Sequence, residues 1–571
     1  MRIVLLVLTQ VNEAFLTRLM AWSALLTTVL VTAWWTLEPV NAPKMVVLTS
    51  FSISILFLLI SSGVRFFNKE YRIASYLLVI FNLFLALSSA FSKDNVNINF
   101  YGATGRSSGF LTYFALSSVF LAATYLRYQT SYKRIIRYFF LAGILNVIYC
   151  LTSIVWKDIF PWDNPYGNIL GTFGNPNFVG SFLGFVGVGT ISYVLFGSFR
   201  LSEKMLGLLL LGVCIFEIQQ SRAIQGFVVL GLGVLICGFF YLRSNLGFNL
   251  LARMYIVGAI VLGLIAVLGT LQIGPLQGLL YKTSVSLRGL YWKTGIAMGS
   301  ENPISGVGID SYGTYFRKLR PESTLEWPGL GIVTDAAHNV PIDLFAGGGY
   351  PVLALYGFLQ LFVLVSAIKV VRRSRNYDPI FVTIFTIWIC YQAQSLISIN
   401  QIGLAIWGWL LGGLIVGFER CTRTANLIGN EQEKSSKKAK KKKNATDELV
   451  PAKVLLSSVM GFVIGFALAF PPVYSDLNWK SALDSKKKEN LTQAAFTWPS
   501  NPERIFRTAR ILLNSKLTQD AYIVLTKGTE QFPESYILWF GRWQMQPEST
   551  TELSEIKSNL HRLDPLNPEF Q

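Results

Sequence analysis

Residues 205–242 read MLGLLLLGVCIFEIQQSRAIQGFVVLGLGVLICGFFYL. Two apolar runs, 205–221 and 223–242, meet at Gln219-Gln220-Ser221-Arg222-Ala223 with almost no loop between them. A helix of about 20 residues crosses the roughly 30 Å of hydrocarbon in a bilayer, so each run reads as a membrane span and the pair as a helical hairpin. Extending that reading outward gives thirteen spans, near 19–37, 45–64, 72–91, 108–126, 135–155, 178–197, 205–221, 223–242, 253–272, 350–371, 379–398, 401–418 and 453–473. The expected fold class is all-α: a polytopic membrane helical bundle with a soluble helical tail.

Composition agrees. Of 571 residues 52% are hydrophobic and 14% charged, against about a quarter charged in soluble domains. The first 418 residues hold 43 charged side chains and the last 153 hold 39, so the front is membrane and the back mostly soluble. Disorder, a collagen-like repeat and a disulfide scaffold are excluded, because Cys150, Cys214, Cys237, Cys390 and Cys421 fall in apolar spans or just beyond one. The formal charge of +18 does not argue for nucleic acid once the basic residues are assigned to sides.

Alternating sides from a cytoplasmic N-terminus puts Arg65, Lys69 and Arg72, then Arg127, Lys133 and Arg134, then Arg200 and Lys204, Arg243 and Arg253, and Arg372, Arg373 and Arg375 on the inner side. Every strongly basic short loop then obeys the positive-inside bias. The lysine run from Lys434 to Lys443 lands there too, as an anchor near anionic lipid. The residues before the first span, interrupted by Asn12, Glu13 and Arg18, read as a retained cytoplasmic lead-in.

Four units follow: a transmembrane domain 1–418 with a large outer connection 273–349, a basic cytoplasmic linker 419–452, a further transmembrane helix 453–473, and an extracytoplasmic tail 474–571. In the tail, Trp498-Pro499 and Phe532-Pro533 lie 34 residues apart and Asp564-Pro565 follows 32 later, with Ala494, Ala509 and Ala521 at helical positions between them. That period is the signature of tetratricopeptide helix pairs, able to recruit a protein partner; a plain helical hairpin is the alternative.

Charged residues at the outer ends of the spans are few, and such residues commonly line a cavity or pathway. Arg106 lies in Gly105-Arg106-Ser107-Ser108-Gly109, and Arg222 in the near-loopless hairpin with Glu217 one turn deeper, where an ion pair is expected. Arg288 lies in Ser286-Leu287-Arg288-Gly289-Leu290-Tyr291-Trp292, so Trp292 falls one turn away on the same face and can orient the guanidinium by stacking. His561 reads as a tail surface residue. His338, in Asp335-Ala336-Ala337-His338-Asn339, is the best general base on the outer side, with Asp335 or Asp343 available to orient it. Arginines hold phosphate through paired donors and keep their charge, so the set suits a lipid diphosphate and the charge that develops as it leaves. The outer segments carry no cluster with metal-ligand spacing, and Gly306-Val307-Gly308 lacks the ending of a phosphate loop, so neither metal, nucleotide nor other cofactor is expected.

Across residues 100–350 the motifs Gly105–Phe110, Gly171-Thr172-Phe173-Gly174-Asn175-Pro176-Asn177, Ser221-Arg222-Ala223, Arg288–Trp292, Asn302-Pro303-Ile304-Ser305-Gly306-Val307-Gly308 and His338-Asn339 with Gly347-Gly348-Gly349 resemble, in order, those of the O-antigen ligase and O-antigen polymerase superfamily of bacterial membrane proteins. The resemblance implies an enzyme of the cytoplasmic (inner) membrane's outer face. Such an enzyme moves a glycan from a polyprenyl (undecaprenyl) diphosphate carrier to a hydroxyl of a saccharide, lipid or protein. It implies that Arg222 and Arg288 engage the diphosphate and His338 is the loop histidine. Arg106 is a looser match, Asn175 and Asn177 either contact sugar or cap a helix, and Trp292 and Asn339 are further candidate substrate contacts. The thirteenth span and the tail depart from simpler members and leave ligase, polymerase and protein O-oligosaccharyltransferase open.

Two other classes compete. A small-solute transporter, bicarbonate-like in some superfamily members, would place ionisable residues at mid-membrane on interrupted helices, and neither feature is clear here. A noncatalytic scaffold would depend wholly on the tail.

Overall fold

The computed structural model describes residues 9–246, 250–270, 283–423, 450–485 and 487–571. All regular structure among them is helical. The lysine run 434–443, most of the linker 419–452 and the first part of the outer connection lie outside the described residues.

The bundle opens with α1 (Gln10–Val29), α2 (Asn41–Ser61), α3 (Arg72–Phe91), the short α4 (Val96–Tyr101), α5 (Phe110–Ala123), α6 (Gln129–Val155), α7 (Pro176–Gly189), α8 (Leu201–Ser221), α9 (Ile224–Leu246) and α10 (Leu250–Thr270). After the outer connection, which holds α11 (Thr283–Glu301) and α12 (Tyr312–Leu319), come α13 (Val340–Arg373), α14 (Pro379–Ser395), α15 (Ile402–Arg423) and α16 (Ala452–Ala469). The tail contributes α17 (Pro471–Ser485), α18 (Lys488–Ala495), α19 (Pro502–Asn514), α20 (Thr518–Gln531), α21 (Tyr536–Gln544) and α22 (Thr550–Leu563). Several starts are written locally: Asn175, Asp378 and Asn501 each precede a proline, and each side chain accepts backbone N–H groups of its helix's first turn.

Among the described residues, eight helices are long and apolar enough to cross a membrane: α2, α3, α6, α7 with its continuation to Leu195, α9, α13, α15 and α16. The expected thirteen spans all contain helix; the five outside these eight are those of α1, α5, α8, α10 and α14, of which α5 and α14 have only 14 and 17 residues. The first span also shifts. Helix occupies Gln10–Val29 rather than 19–37, and the chain turns at Thr32–Thr36, leaving Trp34 and Trp35 exposed. Glu13 is no obstacle to the earlier start, since its carboxylate accepts the N–H groups of Arg127 and Tyr128 and the Ser131 hydroxyl. The tenth span is the second part of α13, broken from Val340–Gly348 at Gly349 (φ 67°, ψ −167°).

Small residues let these helices approach closely. A Cβ at Gly461 of α16 would lie 2.8 Å from the Ile53 carbonyl oxygen of α2, and one at Gly465 would lie 2.7 Å from Ser50 Cα. The Ser54 and Ser458 hydroxyls hydrogen-bond at 2.7 Å along the same seam. Polar structure gathers at the two ends of the bundle. One end holds Glu13 with Arg127, Arg420 with Tyr71 and Glu70, and Arg373 with Glu419. The other holds α4, the outer connection and the tail. The tail core is formed by Ile505, Ala509, Leu512, Ala521, Val524, Leu525 and Leu538, and it is docked on the bundle. Asp564 pairs with Arg320 at 2.7 Å and Arg317 at 3.3 Å, and Asp476 accepts the Leu37 and Glu38 N–H groups at 2.6 and 3.2 Å.

Candidate active site

The glycines of two motifs explain how the outer connection meets the bundle. Val307 and Gly308 donate N–H groups to the Ala346 and Gly347 carbonyls. A Cβ at Gly306 would lie 2.3 Å from Gly347 carbonyl carbon, and one at Gly349 would lie 2.4 Å from the Pro303 carbonyl oxygen. Backbone therefore lies directly on backbone, a distance no side chain permits. Ser88 and Ser92 of the α3 end tie the same layer down by donating to the Gly347 and Val307 carbonyls at 2.5 and 2.8 Å.

On this platform Arg106 is enclosed by carboxylates. Its Nε lies 2.9 Å from Asp310 Oδ1, and its two terminal nitrogens lie 3.9 and 4.0 Å from Asp335 and Asp343. It also donates to the Asp335 carbonyl at 2.9 Å. Burial opposes its charge, and the three aspartates raise its pKa above the ordinary value nonetheless. With 6% of the side chain exposed, Arg106 forms an internal strut between these loops. Its aspartates hold backbone as well: Asp310 accepts the Ala103 and Ser108 N–H groups, and Asp343 accepts that of Ala337. Burial pushes the Asp310 carboxyl up, against the pull of Arg106.

His338 follows directly. Its Nδ1 lies 3.2 Å from the Ala336 carbonyl oxygen; a carbonyl only accepts, so Nδ1 carries the proton and Nε2 presents its lone pair. A backbone carbonyl orients the imidazole, and neither Asp335 nor Asp343 hydrogen-bonds to it. Burial is the main cause that lowers the His338 pKa below the ordinary imidazole value, with the Arg288 and Arg106 charges adding to it and the Ala336 bond and Asp335 opposing. Arg288 is thus near enough to act on His338 electrostatically, and burial lowers its own pKa. The ring facing His338 is Tyr291, with centroids 5.7 Å apart and planes at 35°. Trp292, expected to stack on Arg288, instead joins Met298, Val307, Tyr312 and Phe316 in the small core of the outer connection.

Asn339 caps α13 through Oδ1 to the Ile342 N–H and donates from Nδ2 to the Leu396 carbonyl at 2.8 Å. Asn175 caps α7 by accepting the Asn177 N–H at 2.9 Å, so the capping alternative describes it. Asn177 is exposed beside it. Arg222 closes the α8–α9 turn, exposed, at φ 54°. No described bond or ion pair joins it to His338; its helix reaches that region through α14, where Cys390 Sγ lies 3.4 Å from the Val229 carbonyl oxygen and Leu396 meets Asn339. Glu217 does not pair with Arg222: both its carboxyl oxygens are buried without a hydrogen-bond partner.

Of the six non-glycine residues at positive φ among the described residues, Ser107, Asp310 and His338 lie in this cluster and Arg222 in the α8–α9 turn. Each costs about 1–3 kcal/mol of backbone strain, which persists where surrounding contacts over-determine it, as at functional sites. The residues that sequence reasoning missed are Asp310 and Tyr291. Asp310 follows the Gly306–Gly308 motif and Tyr291 sits inside the quoted Arg288–Trp292 run, but only tertiary contact gives either a part.

Residues 206–357 match the family model described as O-antigen ligase. The match covers about a quarter of the chain and includes the α8–α9 hairpin, the helix of Arg288 and His338. It bears out the resemblance to the O-antigen ligase and polymerase superfamily and supports an O-antigen ligase-like membrane glycosyltransferase in general. No curated protein sequence matches the chain.

Proposed function

We propose that this O-antigen ligase-like chain transfers a glycan from a polyprenyl-diphosphate carrier to an acceptor hydroxyl at the outer face of a bacterial cytoplasmic membrane, with its N-terminus cytoplasmic and its tail outside. The observation that carries this reading is the juxtaposition of His338, its Nε2 free to accept a proton, with the cation of Arg288. In the step, His338 Nε2 takes the proton from the acceptor hydroxyl, whose oxygen bonds to the anomeric carbon as the bond from that carbon to the diphosphate oxygen breaks. The leaving carrier diphosphate gains negative charge, which Arg288 and Arg222 stabilise through paired N–H donors. Arg106 acts as a positioning residue, joining the 102–109 loop to the His338 loop through Asp310 and Asp335. The reaction as written calls on no metal.

Transfer from a polyprenyl-diphosphate glycan by the purified full chain tests this. His338→Ala and Arg288→Ala are each expected to lower the rate roughly 10²-fold or more without loss of membrane insertion. Full activity in both variants would refute the reading.

A further inference from the structure

The outer connection and the tail enclose a cavity of about 1100 Å³, at or above the roughly 300–1,000 Å³ of typical ligand pockets. It is lined by Asp94 and Tyr101 at the bundle end, by Thr314 of α12, and from the tail by Glu534 and Tyr536. Among the described residues its lining carries eight carboxylates and two guanidinium groups. Both arginines are already engaged: Arg317 with Asp564 at 3.3 Å and over the Tyr536 ring, Arg504 with the Ser475 hydroxyl at 2.9 Å. Such a lining repels phosphate, sulfate and carboxylate groups, whereas carboxylate oxygens accept hydroxyl protons strongly. Asp94, 8% exposed, accepts the Asn95 N–H on Oδ1 at 2.8 Å and sets a carboxylate in the cavity wall. Tyr536 and Phe540, both half-buried, add aromatic surface for the apolar faces of sugar rings. The cavity also borders the cage around Arg106, since Ser107, Asp310 and Asp335 line it and Asp310 and Asp335 contact Arg106, and Asp335 lies three residues before His338.

We propose that this cavity is the acceptor site, and that it takes the end of an uncharged oligosaccharide, delivering one hydroxyl past Asp335 toward His338. That the bound sugar is an acceptor rests on the transferase reading; that the cavity binds it does not.

The test uses the full chain in lipid nanodiscs and fluorescence anisotropy with end-labelled tetrasaccharides of glucose, galactose, mannose and N-acetylglucosamine, beside a sulfated tetrasaccharide and a serine-rich peptide. At least one uncharged tetrasaccharide is expected to bind. Thr314→Trp, which narrows the cavity beside Asp94, and Asp94→Asn, which removes one carboxylate of its wall, should each weaken that binding roughly tenfold or more with thermal melting unchanged. His338→Ala should leave binding intact. The proposal is overturned if no uncharged tetrasaccharide binds, if both cavity variants bind as the unaltered chain does, or if only the sulfated sugar or the peptide binds. Binding that persists in a chain unable to transfer glycan would sink the transferase reading alone.

Discussion

At His338 the side chain and the backbone are both constrained. The residue holds φ 54°, its Nδ1 is tied to the Ala336 carbonyl and the next residue caps α13, so the imidazole has one tautomer and little freedom. Because burial lowers its pKa from 6.5, the neutral, proton-accepting form extends to more acidic pH than for a free imidazole. The acid limb of the pH profile of kcat/KM should therefore fall with a midpoint below 6.5, as the ring protonates and can no longer accept. A midpoint at or above that value would contradict a buried histidine base. The histidine's candidacy was legible in the sequence, as one of only two in the chain and the one in the long connection expected on the outer side. Its orienting partner was not, because a backbone carbonyl two residues away competes with two carboxylates at similar spacing and only the turn geometry decides between them.

At the scale of elements, the contact of α12 and its following loop with the tail is a buried ion pair. Arg320 and Asp564 are both 0% exposed at the side chain and meet at 2.7 Å, with Arg317 as a third member. Removing one partner of such a pair leaves an uncompensated buried charge and typically costs about 3–5 kcal/mol. Asp564→Ala should thus loosen the tail, seen as faster limited proteolysis between α16 and α19 and a lower melting temperature. Arg320→Met combined with Asp564→Leu should recover much of the loss. Unchanged proteolysis in Asp564→Ala would mean that the tail is held elsewhere. The helices themselves were largely readable: apolar runs and Asn-Pro or Asp-Pro starts mark α7, α14 and α19. The first helix was misplaced because Glu13 reads as an interruption, whereas Arg127, Tyr128 and Ser131 supply its hydrogen bonds from a distant part of the chain.

For the whole molecule, the bundle's two polar ends make sidedness testable. All five native cysteines are buried, so a single introduced thiol can be followed with a membrane-impermeant maleimide on intact cells. Asp163→Cys and Lys480→Cys, on the end that carries His338 and the tail, should label. Arg375→Cys, beside the Arg373–Glu419 pair on the opposite end, should label only after the membrane is opened. The reverse pattern would put His338 inside the cell and remove the proposed chemistry.

What the sequence determined by itself was a membrane bundle of helices, a more highly charged helical tail, and the short set of arginines and one histidine from which the proposed site is drawn. Those follow from residue type and from apolar run length, which act locally. Only the tertiary structure decided that Arg106 is a strut caged by Asp310, Asp335 and Asp343, that Tyr291 and not Trp292 faces the imidazole, and that the tail closes over a carboxylate-lined cavity. The physical reason is that charge neutralisation and burial depend on distances between residues hundreds of positions apart, and no local pattern in the chain sets those distances.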